Sequence, residues 1–251
     1  VPALPLSGRP LFPGFGAPVH VTDPDTIDHI SKLVEDGRPY VGVFVQKDDM
    51  QEMHRYGSED EEDSVVAASD LHEIGTFAQV HQIVPSLNKG AQVLVMGHRR
   101  MRRGEVLNKG PPLIVAADHL DTPEYDAQDE MIRATMNEII TTMRDILRTN
   151  PMYKDHVDSY VNRINEFREP HLLADFAAHL TSTEPDDLQV ILETLEVQER
   201  LDRVHLLLKK ELEISKIQAE IKESVEKKIS GEQRKYFLMG ADEEHQKGTR
   251  H

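Results

Sequence analysis

The groups in this chain whose types could do chemistry are thirteen histidines, an acidic run at residues 59–63 and a basic run from His98 to Arg103. As metal ligands, proton carriers or phosphate binders, each fails on spacing. A zincin helix needs a second histidine four residues after the first; His72-Glu73 has none, and His98, His119 and His179 stand alone. Residues 58–63 (SEDEED) lack the alternating ligands, central glycine and closing glutamate of an EF-hand loop. The whole of residues 48–70 therefore reads as a solvated loop, too poor in apolar groups to offset the entropy of ordering. A phosphate-cradling P-loop requires Gly-Lys before Ser or Thr, and no Gly-Lys pair occurs. The absence of cysteine removes thiol catalysis, disulfides and cysteine-type zinc sites. Carboxylates are abundant, but on an acidic surface they read as solvated rather than catalytic. No catalytic, metal or cofactor-binding constellation can be assembled.

Binding is the chemistry that remains. The run His98, Arg99, Arg100, Met101, Arg102, Arg103 carries charge on both faces of an extended strand, with Arg99, Met101 and Arg103 on one side and His98, Arg100 and Arg102 on the other. A nucleic-acid patch is disfavoured, because no aromatic residues interleave and the formal net charge is −16. Docking of these arginines against acidic neighbours is the preferred reading. Pro10, Phe12, Pro13 and Phe15 hold apolar groups in a loop stiffened by proline. Leu11 and Phe12 are expected in the core. Phe15, with Tyr40 and Phe44, is expected to be exposed and available for apolar contacts.

These residues must be positioned by two kinds of element. Residues 17–22, 40–46, 74–84, 91–103 and 113–120 are rich in Val, Ile, Leu and Phe between Gly, Pro and Asn turns, which predicts strands. Residues 88–90 (NKG) predict a hairpin turn. Residues 25–36 space Ile27, Ile30, Leu33 and Val34 as a helix, with Asp23 or Asp25 as N-cap and Gly37 as stop. After residues 123–126 the period changes, and helices are predicted over residues 129–149, 153–167, 172–180 and 188–195, the last capped at Thr183. From Gln198 to Ile229 there is neither Pro nor Gly, and Val204, Leu208, Leu212, Ile217, Ile221, Val225 and Ile229 recur every three to five positions. Beyond Ser215 the surroundings turn Glu/Lys-rich, leaving a narrow seam like that of a coiled coil. The fold class is α+β: a β lobe with one helix over residues 1–122, a helical bundle over 123–197 and a coiled-coil-like helix over 198–239. Residues 240–251, with two glycines and few apolar groups, are expected to be a disordered tail. No apolar run approaches the roughly 20 residues that span a bilayer.

The order of these features carries a resemblance. Residues 6–15 (LSGRPLFPGF), 75–81 (GTFAQVH) and 93–103 (VLVMGHRRMRR), followed by a helical half ending in one long charged helix, resemble the N-terminal domain of Lon, the ATP-dependent AAA+ protease, and most its mitochondrial branch. The likeness runs from about Leu4 to Met239 and is most specific at residues 39–49 (PYVGVFVQKDD), 97–100 (GHRR) and 207–237. It implies a PUA-like β lobe and a non-catalytic domain that recognises unfolded or damaged proteins, with Phe15, Tyr40 and Phe44 as the substrate contacts, and helps to assemble a homo-hexamer, with Ile217, Ile221 and Val225 in the contacts between copies. ATP and magnesium would belong to an ATPase domain outside this chain, as would the Ser–Lys peptidase, so no cofactor is expected here. The implied setting is protein quality control in the mitochondrial matrix, with no membrane and no nucleic-acid partner. The alternative is a stand-alone PUA-like small-molecule or RNA-binding protein, to which a long projecting helix would be of little use.

Overall fold

A computed structural model describes residues 1–47, 66–86, 89–150 and 167–248, with side chains as far as Gln233 except at residue 232. The acidic loop and the helix expected over residues 153–167 fall largely outside the described residues. Six strands form one sheet: β1 (Ala3–Leu6), β2 (Gly16–Val21), β3 (Tyr40–Val45), β4 (Ile74–Pro85), β5 (Ala91–Asn108) and β6 (Ile114–His119). Their order is β1-β3-β4-β5-β2, and β6 pairs with β5. The sheet curls on itself, since Ala3 N–H donates to Leu113 O at 2.8 Å and Val115 N–H donates to Val1 O at 3.0 Å. β1 escapes a reading of the sequence because it is four residues long, contains Pro5 and pairs in parallel with β3, far along the chain.

In the hairpin between β4 and β5 both Lys89 and Gly90 are at positive φ; glycine takes that conformation freely, as the expected turn requires, whereas a lysine there is uncommon. Helix α1 (Pro24–Glu35) starts where the Asp23 carboxylate accepts from Thr26 N–H at 2.6 Å, and it buries Ile30 against Val41, Val43, Val80 and Val93 on one sheet face. The other face packs Phe44, Met101 and Val115.

The helical half comprises α2 (Glu130–Thr149), α3 (Pro170–Leu180), α4 (Pro185–Glu193) and α5 (Val197–Gly248), which with α1 makes five helices among the described residues. Asp129 caps α2 by accepting from Met131 N–H at 2.7 Å. The expected Thr183 cap on α4 is not made. Glu184 takes the N-cap position without a side-chain bond, and Pro185 with Asp186 and Asp187 sets the start through fixed φ and acidic charge in the first turn. α5 buries Val197, Leu201, Val204 and Leu208 against α2 and α3, then leaves the body after Ser215. It also continues past Met239 to Gly248, against the expected disordered tail: extending an existing helix needs no new nucleus, and Ala241, Glu243, Glu244, Gln246 and Lys247 favour helix.

Gly75 lies where strand meets core, and a Cβ there would collide with Val43 O and the Phe44 ring. Backbone cannot yield as a flexible side chain does, so Gly75→Ala should destabilise the fold by about 2–3 kcal/mol. Thermal unfolding of the variant beside the native chain checks this.

Candidate functional site

The basic run on β5 is split by one irregularity. The β4–β5 register shifts between Phe77 and Ala78, so that Phe77 pairs with Arg99 and Ala78 with Gly97, leaving His98 as an extra residue. Such a bulge puts two successive residues on one side of the sheet. Contrary to strict alternation, His98 therefore joins Arg99 on the side of Phe77, while Arg100 turns to the opposite face. There Arg100 is 6% exposed and its guanidinium donates to both carboxylate oxygens of Asp175, at 2.8 and 2.7 Å, and through Nε to Leu192 O at 2.7 Å.

Arg200 of α5 completes this cluster. It is fully buried, donates through Nε to Thr194 O at 2.7 Å and through Nη2 to Leu195 O at 3.0 Å, and places Nη1 3.7 Å from Asp175. Burial, then the neighbouring Arg100, lowers the Arg200 pKa to about 10, against the pull of Asp175, so it stays protonated at neutral pH. Two guanidiniums share one carboxylate between the sheet and three helices. Both Asp175 oxygens are taken up by guanidinium groups, so the work of the cluster is to hold elements together. Gln189 adds a bond to Ile74 O at 2.9 Å, and His72 lies 3.3 Å from Glu193.

The expected site residues are dispersed. Phe15 is half-buried where sheet meets helices, stacked on His179 with centroids 4.0 Å apart and on Phe176 at 6.0 Å. Its neighbours in the proline-stiffened loop divide between two cores, Leu11 entering that of the sheet and Phe12 that of the helices. Phe15 is thus a joint between the halves, not a free contact. Phe44 is 0% exposed beneath Gly42 and Gly75 and cannot touch a partner, because it faces inward from a strand covered on both sides. Tyr40 is exposed, as expected.

Tyr40 does not stand alone. Its ring stacks on Phe77 at 5.1 Å and meets the edge of His98 at 6.3 Å, while Phe77 meets the edge of His119 at 4.8 Å. His98 also bonds Gln79 at 3.1 Å. Phe77 and His119 were missed in the sequence because only the register of β3, β4, β5 and β6 brings them beside Tyr40. The faint signal was the alternation of GTFAQVH, which puts Phe77 and Gln79 on one side. Ile217, Ile221 and Val225 lie on α5 beyond the body, 56%, 58% and 47% exposed, in a row that Ile229 extends.

This geometry can bind and tether. Among the described residues no group of three His, Asp or Glu is arranged to hold a metal, and no helix is long and apolar enough to cross a membrane. A family model described as the ATP-dependent protease La (Lon) substrate-binding domain matches residues 1–210. The chain belongs to this family. It is 41% identical over 242 residues to Lon protease homolog 1, mitochondrial, of Arabidopsis thaliana, covering 94% of this chain and 25% of that protein. It is 39% identical over 267 residues to the mitochondrial Lon protease homolog of Ostreococcus lucimarinus, covering 94% and 28%. The chain thus spans about a quarter of the length of these curated relatives. Its fold is similar to the N-terminal domain of the Mycobacterium avium complex Lon protease, with a TM-score of 0.61 at 20% identity over 83% of this chain and 97% of that one. The mixed α+β architecture is that of Lon N-terminal domains.

Asp175→Asn leaves two buried guanidiniums without their counter-charge, and should lower stability by about 3–5 kcal/mol in urea unfolding. His171, on α3, is held below its ordinary pKa of 6.5 by burial first, with Asp175 opposing and Arg200 assisting. A base whose folded pKa is depressed contributes stability above its unfolded pKa that is lost as pH falls through the folded value. His171→Gln should therefore flatten the acid side of a stability profile measured below pH 6.5.

Proposed function

We propose that this chain is the non-catalytic substrate-recognition domain of a Lon-type ATP-dependent serine protease, acting on unfolded or damaged proteins in the mitochondrial matrix. The family match carries the reading, and the mitochondrial names of the similar proteins support the compartment. The curled sheet is compatible with a PUA-like lobe over residues 1–122, joined to a bundle over residues 123–197. ATP, magnesium and the peptidase would reside in parts of the protein outside this chain.

We further propose that α5 brings copies together in a hexamer and links this domain to the ATPase. From residue 216 to Gly248 the helix extends about 50 Å at ~1.5 Å per residue. Ile214, Ile217, Ile221 and Val225 follow one another at three, four and four positions. Ile229 follows after four more, so the steps exceed the 3.5-residue mean of a heptad, which favours a nearly straight or slightly right-handed pairing over a left-handed coil. Side chains this exposed lack partners in a single copy and gain them by association. Several weak substrate-binding surfaces on one ring would then act at high effective concentration. A stand-alone small-molecule or RNA binder is disfavoured by the same helix, which would serve nothing there.

Light scattering over a concentration series checks both parts when run with and without a chemically unfolded client. The native chain should self-associate and take up the client. Ile217→Ser, Ile221→Ser and Val225→Ser together should weaken self-association by about a hundredfold or more while the melting temperature of the body stays unchanged. A strict monomer that ignores the client would contradict the reading.

A further inference from the structure

We propose that the sheet surface built from Tyr40, Phe77, His98, Arg99 and His119 is the substrate-docking site, and that it selects extended polypeptide segments in which an aromatic or aliphatic side chain is flanked by carboxylates. This rests on the substrate-recognition reading above and specifies its chemistry.

Three observations meet there. The stack of Tyr40 on Phe77, with His98 and His119 set edge-on around it, is open on its outer side, with Tyr40 37% exposed. An apolar side chain laid against it would cover ring surface that the fold leaves in water, and an aromatic one would extend the stack. The same bulge that sends Arg100 into the buried cluster leaves Arg99 exposed and paired in register with Phe77. Among the described residues no carboxylate lies within 4.0 Å of Arg99, His98 or His119, although Asp121 follows β6 where its pairing with β5 would carry on beside Arg99.

Charge complementarity decides the occupant. A chain of net charge −16 repels an acidic segment over most of its surface, so a cation without an acidic partner beside an exposed ring stack is where such a segment gains most. A single-stranded nucleic acid would also stack on these rings. It would require a row of exposed cations along its phosphates, and on this side of β5 Arg103 is half-buried, leaving Arg99 as the exposed one.

The test uses the intact chain and fluorescence anisotropy with three labelled peptides of one length: phenylalanines spaced by aspartates, by asparagines and by lysines. A single-stranded oligonucleotide and a chemically unfolded client are measured in parallel. The aspartate peptide should bind tighter than the lysine peptide by about tenfold and lose that advantage in high salt. Arg99→Glu should weaken the aspartate peptide about fivefold and strengthen the lysine peptide. Tyr40→Ser should weaken all three about fivefold, since the ring serves each. Both changes are on the surface, and unaltered melting temperatures would show that the fold is kept. If the client binds while the peptides ignore charge and both substitutions, recognition stands but this site is wrong. If the oligonucleotide, and not the aspartate peptide, responds to Arg99→Glu, the occupant is wrong. If neither client nor peptide binds, the recognition reading falls and the site with it.

Discussion

The buried pairing of Arg100 and Arg200 with Asp175 is the constraint on which the rest of the molecule depends. Asp175 sits on α3, Arg200 on α5 and Arg100 on β5, and Arg100 also grips the carbonyl of Leu192 on α4. Removing two guanidiniums from water costs several kcal/mol each, and the arrangement survives only because carboxylate and carbonyl oxygens take over from water. An apolar contact can slide, whereas a bidentate pair fixes distance and angle. The cluster therefore sets the angle at which the sheet meets the helices, and Phe12, Phe15 and Ile74 fill the space around it.

One bulged residue connects that joint to the opposite surface. By inserting His98, β5 presents Arg100 to the helices and Arg99 to the outer aromatic face within two consecutive positions. Gly42 and Gly75 leave room for the Phe44 ring on that same side of the sheet, because a Cβ at either would run into it. α5 carries the same body outward: its first turns hold Arg200 and the core residues Leu201 and Val204, and its later turns expose the Ile217, Ile221 and Val225 row. A force applied to the far end of α5 would reach the sheet through Arg200 and Asp175 without crossing a flexible linker.

Local pattern made much of this legible in the sequence. The alternation of β4 and β5, the Asp23 cap and the stripe of α2 need only neighbours within a few positions, and each element lies where the residues predict it. The preference for docking the arginines against acidic neighbours also anticipated the fate of Arg100. What was illegible depended on register. The burial of Phe44 escapes the sequence because a strand spelled Tyr-Val-Gly-Val-Phe-Val has no polar side to mark which residues face inward. The stacking of Phe15 escapes it because its partners lie on a helix far along the chain. The bulge at His98 has no glycine or proline at the extra residue itself, so strict alternation misplaced it. The rings of Phe77 and His119 join Tyr40 only after four strands have found their register.

The central claim is that sheet and helices open as one unit held by the buried cluster. Native-state amide exchange followed by mass spectrometry in rising urea tests it most directly, comparing the inner amides of β4 and β5 with those of α3 and α4. The account predicts that the two sets merge into one opening with a common free energy and denaturant slope. Helical amides that exchange through a separate opening of lower free energy, while the strands stay protected, would contradict it.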